Sequence, residues 1–469
     1  MKLLNSTTVV GAIAALVLYF AIGRIRAWAR LRHIPGPPDA GWSIFRLARW
    51  QCSGRMYKRL QELSRQYGPV ARIAPNWIIV SDPAEIRRIW SVRSGYHRGP
   101  WYKGFRVDPS TDSIVTAMDN NQHQSLRNGI LKAYQGRNSA AQEEVVDAQI
   151  TKFLDLLDTK YTSSHAAGIR PFDMGHGMQF LTHDMMSTIE FSAPSATSTP
   201  TPTRTTSSRP WKRPSARYSH SDPEVPDPDA RQADFLQSFV DSPLTRAQVS
   251  AEALVHFFAG ADTVAICLRT AVFLLASAPA AYRRLQDEID RSVVVVGGAG
   301  SIRVTRPVVA EAEVRALPYL QACIRETLRL WPPIMSLMGK VSDVADEICG
   351  VRVPAGTSVG IGWFGVMRDE GVFGRNADAF EPARWLEAEG ERLARMEATQ
   401  GLAFAAGTRW ECLGKRIAMM EVGKCLFELF LRYDFAMTDP IEPFKLFHVA
   451  GVLHQNMKAT ITKRGINEI

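Results

Sequence analysis

Residues 404–415 read F-A-A-G-T-R-W-E-C-L-G-K and contain one cysteine, Cys412, which follows a glycine-bearing loop that begins at Phe404. Beyond the loop, apolar residues recur at helical spacing from Ile417 to Phe430. A cysteine just before such a helix meets unpaired backbone N–H groups and the positive end of the helix dipole, and both favour the thiolate. The stretch therefore predicts a ligating or reactive sulfur at a helix N-terminus.

Two interpretations of Cys412 are open at this level. A thiolate in apolar surroundings ligates metals strongly and suits the axial position of a haem whose iron cleaves O–O bonds. The other interpretation is a buried structural cysteine, which is the commoner fate of a lone cysteine in an intracellular protein. Three further motifs of the chain decide between them.

The composition describes a large protein with a basic excess. Of 469 residues, 46% are hydrophobic and 22% are charged, which excludes wholesale disorder. The net charge of +9 indicates an anionic membrane surface or an acidic protein partner, and the lack of Lys/Arg runs interleaved with aromatic residues argues against nucleic acid. Six cysteines without a C-x-x-C pair predict neither a zinc site nor a disulfide framework.

The N-terminus carries a candidate membrane anchor. No charged residue occurs from Leu3 to Gly23, which is about the 20 residues that one helix needs to cross a bilayer. Arginines follow at once and, by the positive-inside rule, hold the rest of the chain on the cytosolic side. A cleaved signal peptide would carry its basic residues before the apolar run. We therefore predict an uncleaved anchor in residues 1–33 and one large domain in residues 34–469.

Residues 192–232 interrupt this domain with a low-complexity segment. Between residues 192 and 219, 18 of 28 residues are Ser, Thr or Pro, and no acidic residue balances the five Lys/Arg. Such a composition cannot bury enough apolar surface to fold by itself. We predict a solvated, disordered loop. The alternative is a misread exon or shifted reading frame, which is excluded if the transcript carries the same codons in frame.

A long apolar helix, predicted over residues 248–277, carries a polar motif at its centre. Gly260 leaves space where a flat ligand or dioxygen can approach the backbone. Asp262 and Thr263 place a carboxylate and a hydroxyl in the apolar helix, where burial is costly unless the groups are used. A hydroxyl there can hold a water and pass protons. The alternative is a kinked helix in which Thr263 bonds to its own preceding turn.

A third motif places Glu326 and Arg329 at i and i+3 of one helix face. A second arginine, Arg384, follows in the sequence F-E-P-A-R-W of residues 380–385. Two arginines around one glutamate would form charge-assisted hydrogen bonds that lock an irregular segment, residues 371–414, to the helix. An exposed salt bridge that contributes little is the alternative.

The glycine-acid-threonine helix, the E-x-x-R helix, the P-x-R-W turn and the cysteine loop together resemble the four signatures of the cytochrome P-450 superfamily of haem-thiolate monooxygenases. Their order and their distance from the C-terminus also agree. The anchor and the proline-rich hinge Ile34–Pro38 resemble the microsomal branch, and the chain is most similar to filamentous-fungal members such as the pisatin demethylase-like group. The resemblance implies a mainly α fold with small β-sheets (α+β) behind an N-terminal transmembrane helix.

The resemblance assigns roles at the centre of the site. Cys412 would ligate the iron of haem b (iron protoporphyrin IX, with an axial thiolate), in a cofactor-binding loop that includes Phe404 and Arg409. Asp262 and Thr263 would shape the distal proton path.

The resemblance also assigns two outer sets of residues. They are the partners of the haem propionates (His123, Arg127 and Lys340) and a buried structural knot (Glu326, Arg329 and Arg384). Lys340 stands where an arginine is usual, and a lysine keeps the charge but loses the bidentate fork. For His123 and Lys340, surface solvation is the alternative.

The chain departs from the family pattern in two places. The usual loop is F-x-x-G-x-R-x-C-x-G, whereas both Trp410 and Glu411 separate Arg409 from Cys412 here. Either the extra residue bulges or Trp410 takes the arginine's position, and Arg409 becomes an uncertain partner of a propionate in both cases. The family also has two helices of the pocket roof where this chain has residues 192–232.

The resemblance implies a monooxygenase that inserts one oxygen atom from O₂ into an apolar small molecule of fungal secondary metabolism. The chain has no FMN, FAD or NADPH motif, so electrons would come from NADPH through a separate cytochrome P-450 reductase, with cytochrome b5 as a further candidate donor. A basic surface near Lys415, Arg416 and Lys424 would attract an acidic reductase. The location would be the endoplasmic reticulum membrane, single-pass, with the catalytic domain cytosolic. The alternatives are an impaired remnant that lacks part of the pocket roof, or a haem-thiolate isomerase or lyase.

Overall fold

The computed structural model describes six stretches of the chain: residues 6–135, 139–166, 168–192, 235–293, 308–448 and 451–464. The low-complexity segment predicted over residues 192–232 lies outside the described residues, apart from Ser192. Its disorder therefore stays a prediction.

Helices dominate the part of the chain that the structure describes. They are α1 (Ser6–Arg30), α2 (Phe45–Cys52), α3 (Met56–Tyr67), α4 (Pro83–Trp90), α5 (Asn120–Tyr134), α6 (Ser139–Leu156), α7 (Met174–Phe191), α8 (Phe235–Val240), α9 (Arg246–Ala276), α10 (Pro279–Val293), α11 (Glu311–Arg315), α12 (Pro318–Leu330), α13 (Trp363–Met367), α14 (Glu370–Phe373), α15 (Arg384–Glu387), α16 (Gly390–Gln400) and α17 (Lys415–Arg432).

The strands are short and form small sheets. They are β1 (Val70–Ala74), β2 (Trp77–Val80), β3 (Tyr96–Arg98), β4 (Thr162–Ser163), β5 (Pro171–Asp173), β6 (Lys340–Ser342), β7 (Asp346–Ile348), β8 (Val351–Val353), β9 (Ser358–Ile361), β10 (Tyr433–Met437), β11 (Lys445–His448), β12 (Val452–Gln455) and β13 (Lys458–Lys463). The largest sheet has the order β1-β2-β9-β6-β3, and a second has the order β10-β13-β4 with β5 also paired to β13. The predicted fold class, mainly α with small β-sheets, is confirmed.

Helix α9 runs through the centre of the protein. It begins with a capping box in which the Gln248 backbone N–H donates to Thr245 Oγ1 and the Thr245 N–H donates to Gln248 Oε1. Apolar residues on most of its surface are buried against α7, α12 and α17, as expected for a helix that is hydrophobic almost all round. The helix predicted over residues 248–277 is confirmed, and its central position brings the motif around Thr263 to the interior.

Helix α1 is long and apolar enough to cross a membrane, by length and composition, over the segment Val10–Arg30, of which none is buried. Helix α9 passes the same test, but it is mostly buried and is a core helix. The last turn of α1 is held by β1, because Arg72 donates to the backbone oxygens of Ala27 (2.9 Å) and Trp28 (3.0 Å). A buried guanidinium thus satisfies carbonyl groups that the end of a helix leaves unpaired.

Candidate active site

A cavity of about 180 Å³ lies between α5, α9 and the loop that precedes α17. Five of the sequence-predicted site residues line it: Cys412 and Phe404 from the loop, Thr263 from α9, and His123 and Arg127 from α5. Residues separated by almost 300 positions in the chain therefore meet at one place, where Arg127 Nη1 of α5 donates to the Glu411 carbonyl oxygen of the cysteine loop at 2.8 Å.

The cysteine loop folds back on itself before α17 begins. The Cys412 backbone N–H donates to the Phe404 carbonyl oxygen at 2.9 Å. The turn between them uses left-handed backbone at Ala405 (φ 49°) and Gly407 (φ 73°), and glycine adopts this region at no steric cost. Gly414 is the N-cap of α17. The sulfur therefore lies at the helix N-terminus that the sequence predicts.

The electrostatic setting of the Cys412 thiol is a balance of opposed effects. The thiol has accessible surface, which opens on the cavity. Burial raises its pKa, whereas the backbone N–H groups of Gly414 and Lys415 and the charge of Arg127 act to lower it. Burial is the largest of these effects, so the helix N-terminus alone does not make the free cysteine a thiolate. A metal ion would have to replace the proton, as is usual for thiolate ligands.

A cluster of basic side chains stands beside the cavity. Burial lowers the pKa of His123 to about 3, helped by the nearby charges of Arg98, Arg127 and Lys340. Burial also lowers the pKa of Lys340 well below its usual value, again with Arg98 as a neighbour. In the described stretches no carboxylate lies within 4.0 Å of any of these side chains or of Arg409. The basic groups therefore repel one another and would be stabilised by an anionic ligand.

Several buried nitrogen atoms of this cluster lack a hydrogen-bond partner among the described residues. His123 Nδ1, Arg98 Nε and Trp410 Nε1 belong to side chains that line the cavity, whereas Arg409 Nε belongs to one that does not. Unpaired buried donors are rare and costly. A flat cofactor that carries carboxylates at one edge and takes a thiolate ligand would satisfy both the donors and the cysteine, so these residues fit the haem that the resemblance implies.

Two of the predicted cofactor residues do not line the cavity. Lys340 is fully buried but lies behind the side chain of Trp410. Arg409 donates through Nη2 to the carbonyl oxygen of Val92, which follows α4, whereas Trp410 lines the cavity. Of the two outcomes left open for the extra loop residue, the structure has Trp410 on the cavity side.

The distal motif is divided between two sides of α9. Thr263 lines the cavity, and its hydroxyl donates to the Ala259 carbonyl oxygen at 2.7 Å. Asp262 does not line the cavity: its side chain is 56% exposed, and Oδ1 accepts from Gln179 Nε2 of α7 at 2.6 Å. The expectation that Asp262 is buried is wrong, because consecutive residues of a helix face different directions. Its part in a proton path stays a prediction.

Gly260 lines the cavity beside Met186 of α7. A Cβ added at Gly260 would lie 2.5 Å from the sulfur and terminal methyl of Met186. The missing side chain therefore lets Met186 pack against α9 at the cavity wall, and the approach of a flat ligand or dioxygen to this backbone stays a prediction.

Glu326, Arg329 and Arg384 come together as a fully buried knot. Glu326 accepts from Arg329 (2.8 and 2.9 Å), from Arg384 Nε (2.9 Å) and from the Trp385 indole N–H (2.9 Å). The remaining guanidinium N–H groups donate to carbonyl oxygens between residues 367 and 379. The exposed-pair alternative is thereby excluded, since the exposed fractions of the three side chains are 0%, 0% and 4%.

The sequence interpretation missed a polar pair in the cavity wall. His256 lies seven residues before Thr263 on α9, lines the cavity and pairs through Nδ1 with the buried Glu190 of α7. Nearby, burial raises the pKa of Glu252 to about 7, and this carboxylate accepts from the Ile114 N–H at 2.6 Å. The spacing of seven residues puts His256 on the face of Thr263, and this was the available signal for His256.

The basic docking surface predicted at Lys415, Arg416 and Lys424 is wrong in part. Lys424 is fully buried and pairs with Glu143 and Asp147 of α6. Arg416 pairs with Glu311 and bonds to Gln142. Only Lys415 remains largely exposed, because α6 and α11 pack against the side of α17 that carries the other two cations.

Most of the chain matches a known protein family. Residues 35–206 and 215–461 match the family described as cytochrome P-450. This chain belongs to the cytochrome P-450 family. The family's cofactor is a haem iron with thiolate ligation, in agreement with the cysteine loop and the basic cluster beside it.

Several relatives of this cytochrome P-450 are fungal monooxygenases. Cytochrome P-450 monooxygenase ABA1 of Pyricularia oryzae is 33% identical, with 97% of this chain and 96% of that protein covered. Monooxygenase abl1 of Leptosphaeria maculans is 29% identical (92% and 82% covered), and aba1 of Botryotinia fuckeliana is 29% identical (92% and 92% covered). The protein is therefore a cytochrome P-450 monooxygenase, and the pisatin demethylase-like subgroup stays a prediction.

Proposed function

We propose that this monooxygenase holds iron protoporphyrin IX (haem b) with Cys412 as the axial ligand and with His123 and Arg127 at the propionates. The observation that carries the proposal is the meeting, in one cavity, of a thiol at a helix N-terminus and basic groups that have no carboxylate within 4.0 Å in the described stretches of the chain. When bound, the haem supplies the cleavage of O₂ and the transfer of one oxygen atom to substrate.

The protein's own residues would control that chemistry. The cavity is lined by apolar groups such as Ile114, Val115 and Val264, which exclude water and favour an apolar small molecule. Thr263 would hold a water and pass protons from the distal side. The similarity to fungal monooxygenases covers most of the length of each relative, and it supports a substrate from secondary metabolism.

The family requires a redox partner, and we propose NADPH–cytochrome P-450 reductase, with cytochrome b5 as a second donor. We also propose that residues 1–33 anchor the protein in the endoplasmic reticulum membrane and that residues 34–469 form the cytosolic catalytic domain. The apolar, unburied part of α1 is followed, within the last two turns of the helix and just beyond it, by Arg24, Arg26, Arg30 and Arg32, which supports this orientation. Lys415 has a side chain that is 45% exposed and lies 3.9 Å from Glu411 Oε1, and it is the remaining candidate contact for an acidic reductase.

The decisive experiment is the spectrum of the reduced protein with carbon monoxide. Wild type should show the far-red-shifted Soret band of thiolate-ligated haem, and Cys412→Ser should lose that shift because a hydroxyl cannot supply the thiolate. Cys52→Ser, which changes an exposed cysteine at the end of α2, is the matched control and should keep the band. Retention of the band in Cys412→Ser would refute the assignment of the ligand.

The same spectrum separates the alternatives. A wild-type protein that takes up no haem would indicate an impaired remnant. A protein with the band that consumes no NADPH in the presence of reductase and any apolar substrate would indicate an isomerase or lyase.

A further inference from the structure

The extra residue of the cysteine loop changes which side chain faces the cofactor edge. Trp410 is 8% exposed and lines the cavity, and its backbone N–H donates to Thr408 Oγ1 at 3.1 Å. Arg409, the family's usual partner at this point, donates instead to the carbonyl oxygen of Val92. A backbone bridge between Ser91 and Thr408 fixes the same part of the loop to the chain after α4. The loop is therefore held with its arginine turned away.

The indole of Trp410 presents a donor that nothing in the described part of the chain accepts. Its Nε1–H is buried without a hydrogen-bond partner, and so is Nδ1 of His123, which lines the same cavity. An indole nitrogen is a donor only. Such a group is stabilised by an acceptor on a ligand, and a carboxylate is the acceptor that the surrounding basic side chains favour.

Lys340 stands behind the indole rather than in the cavity. Its Nζ lies 3.4 Å from the centroid of the Trp410 ring, 4.7 Å from that of Trp90 and 5.0 Å from that of Tyr102. It also donates to the Tyr102 hydroxyl at 3.2 Å. A haem carboxylate beside the indole would favour the charged form of Lys340, which burial and the basic neighbours disfavour. The ammonium over the face of an indole is attracted by the ring's electrons. It also draws electron density from the ring, which makes the indole N–H a stronger donor.

We infer that Trp410 replaces the loop arginine as a donor to one haem propionate, and that Lys340 is a positioning residue that fixes and polarises the indole from behind. The inference rests on the proposed haem site. The extra loop residue and the lysine in place of arginine, which are both departures from the family pattern, would then act together on the same propionate. A neutral N–H donor backed by a buried cation stands where a guanidinium normally binds the carboxylate directly.

The test measures release of haem to excess apomyoglobin from the full-length holoenzyme. Trp410→Phe keeps the ring for Lys340 but removes the N–H, and it should raise the release rate about tenfold, as for the loss of a hydrogen bond to a charged group. Lys340→Met should raise it less, about threefold, and should add nothing in the Trp410→Phe background, because its effect passes through the indole N–H. Trp410→Leu, which also carries no donor, serves if Trp410→Phe does not fold.

A second readout isolates the carboxylate. Protein produced without haem is loaded with either haem or its dimethyl ester, which has no ionised propionate. The difference between wild type and Trp410→Phe should disappear with the ester, whereas a merely structural role of the indole would leave the same difference with both. Lys58→Met, which removes an exposed lysine beside the Tyr57 ring, is the matched control and should release haem at the wild-type rate.

Three outcomes would overturn the inference. They are a wild-type release rate in Trp410→Phe, an increase in Arg409→Gln as large as that expected for Trp410→Phe, and a Lys340→Met effect that persists in the Trp410→Phe background. The last would mean that Lys340 binds the propionate itself. A wild-type protein that binds no haem refutes the proposed function instead, and the two failures are thereby distinguished.

Discussion

The Thr263 hydroxyl can bond to its own helix and still interact with a water in the cavity. The hydroxyl donates to the Ala259 carbonyl oxygen, as expected for a threonine that bonds to its own helix. The oxygen keeps two lone pairs and the side chain lines the cavity, so it can still accept a hydrogen bond from a water there. The helix bond orients the oxygen, and the two alternatives drawn from the sequence are compatible.

Thr263→Ala should uncouple NADPH consumption from product formation. Loss of the hydroxyl removes the group that holds the proton-carrying water, so product per NADPH should fall at least about tenfold while peroxide rises. The measurement is the ratio of product to NADPH with reductase present. Thr270→Ala is the control, because Thr270 is a buried threonine two turns further along α9 and does not line the cavity. Unchanged coupling in Thr263→Ala would remove Thr263 from the proton path.

At the scale of elements, the knot around Glu326 explains how the irregular chain before the cysteine loop is held. Glu326 accepts five hydrogen bonds, one of them from the Glu381 backbone N–H at 3.0 Å. These bonds join α12 to the start of α15 and to the turns before it. A long stretch with little regular structure is ordered when specific contacts fix it, and here one carboxylate supplies them.

Glu326→Gln should therefore destabilise the protein strongly. The substitution leaves the Arg329 guanidinium buried without its counter-charge and leaves Arg384 with only Glu381, at 3.2 Å, which costs about 3–5 kcal/mol of unfolding free energy. Glu62→Gln is the matched control, since Glu62 forms an i, i+3 pair with Arg59 at the surface, with exposed fractions of 59% and 53%. Its effect should stay within about 0.5 kcal/mol. Urea unfolding measures the unfolding free energy of both variants. Equal losses of unfolding free energy in Glu326→Gln and Glu62→Gln would contradict the structural role of the knot.

The stability of the whole molecule depends on pH through buried neutral histidines. Burial lowers the pKa of His448 to about 4 and that of His454 to about 3, the latter helped by the charge of Arg269. Between the ordinary histidine pKa of about 6.5 and these values, the unfolded chain binds protons that the folded protein does not. The unfolding free energy therefore falls as the pH falls through this window.

His448→Phe should make the protein less sensitive to acid. One such histidine contributes a slope of at most about 1.4 kcal/mol per pH unit, and both ring nitrogens of His448 lack a hydrogen-bond partner among the described residues. Phenylalanine keeps the ring contact with Tyr57 and has no proton to bind. Urea unfolding at pH 7, 6 and 5 measures the slope, and equal slopes in both proteins would contradict the buried neutral state of His448.

The sequence by itself determined the features whose signal is local. A cysteine between a glycine-bearing loop and an apolar helix, an E-x-x-R pair, and a charge-free run before arginines each need only neighbouring residues to be recognised. Their order identified the fold class and the ligand candidate. The positions of His123 and Arg127 at i and i+4 were also readable, because that spacing places both on one helix face.

Only the tertiary structure decided which helix face meets which neighbour. Periodicity placed Asp262 in an apolar helix, but the packing of α7 on α9 left its carboxylate exposed and placed Met186 beside Gly260. The packing of α6 on α17 buried Lys424, which the sequence assigned to the surface. The side of the loop on which Trp410 lies depended on α4 and β6, about 300 and 70 residues away in the chain. Such contacts between distant elements leave no periodic pattern in the segments that make them.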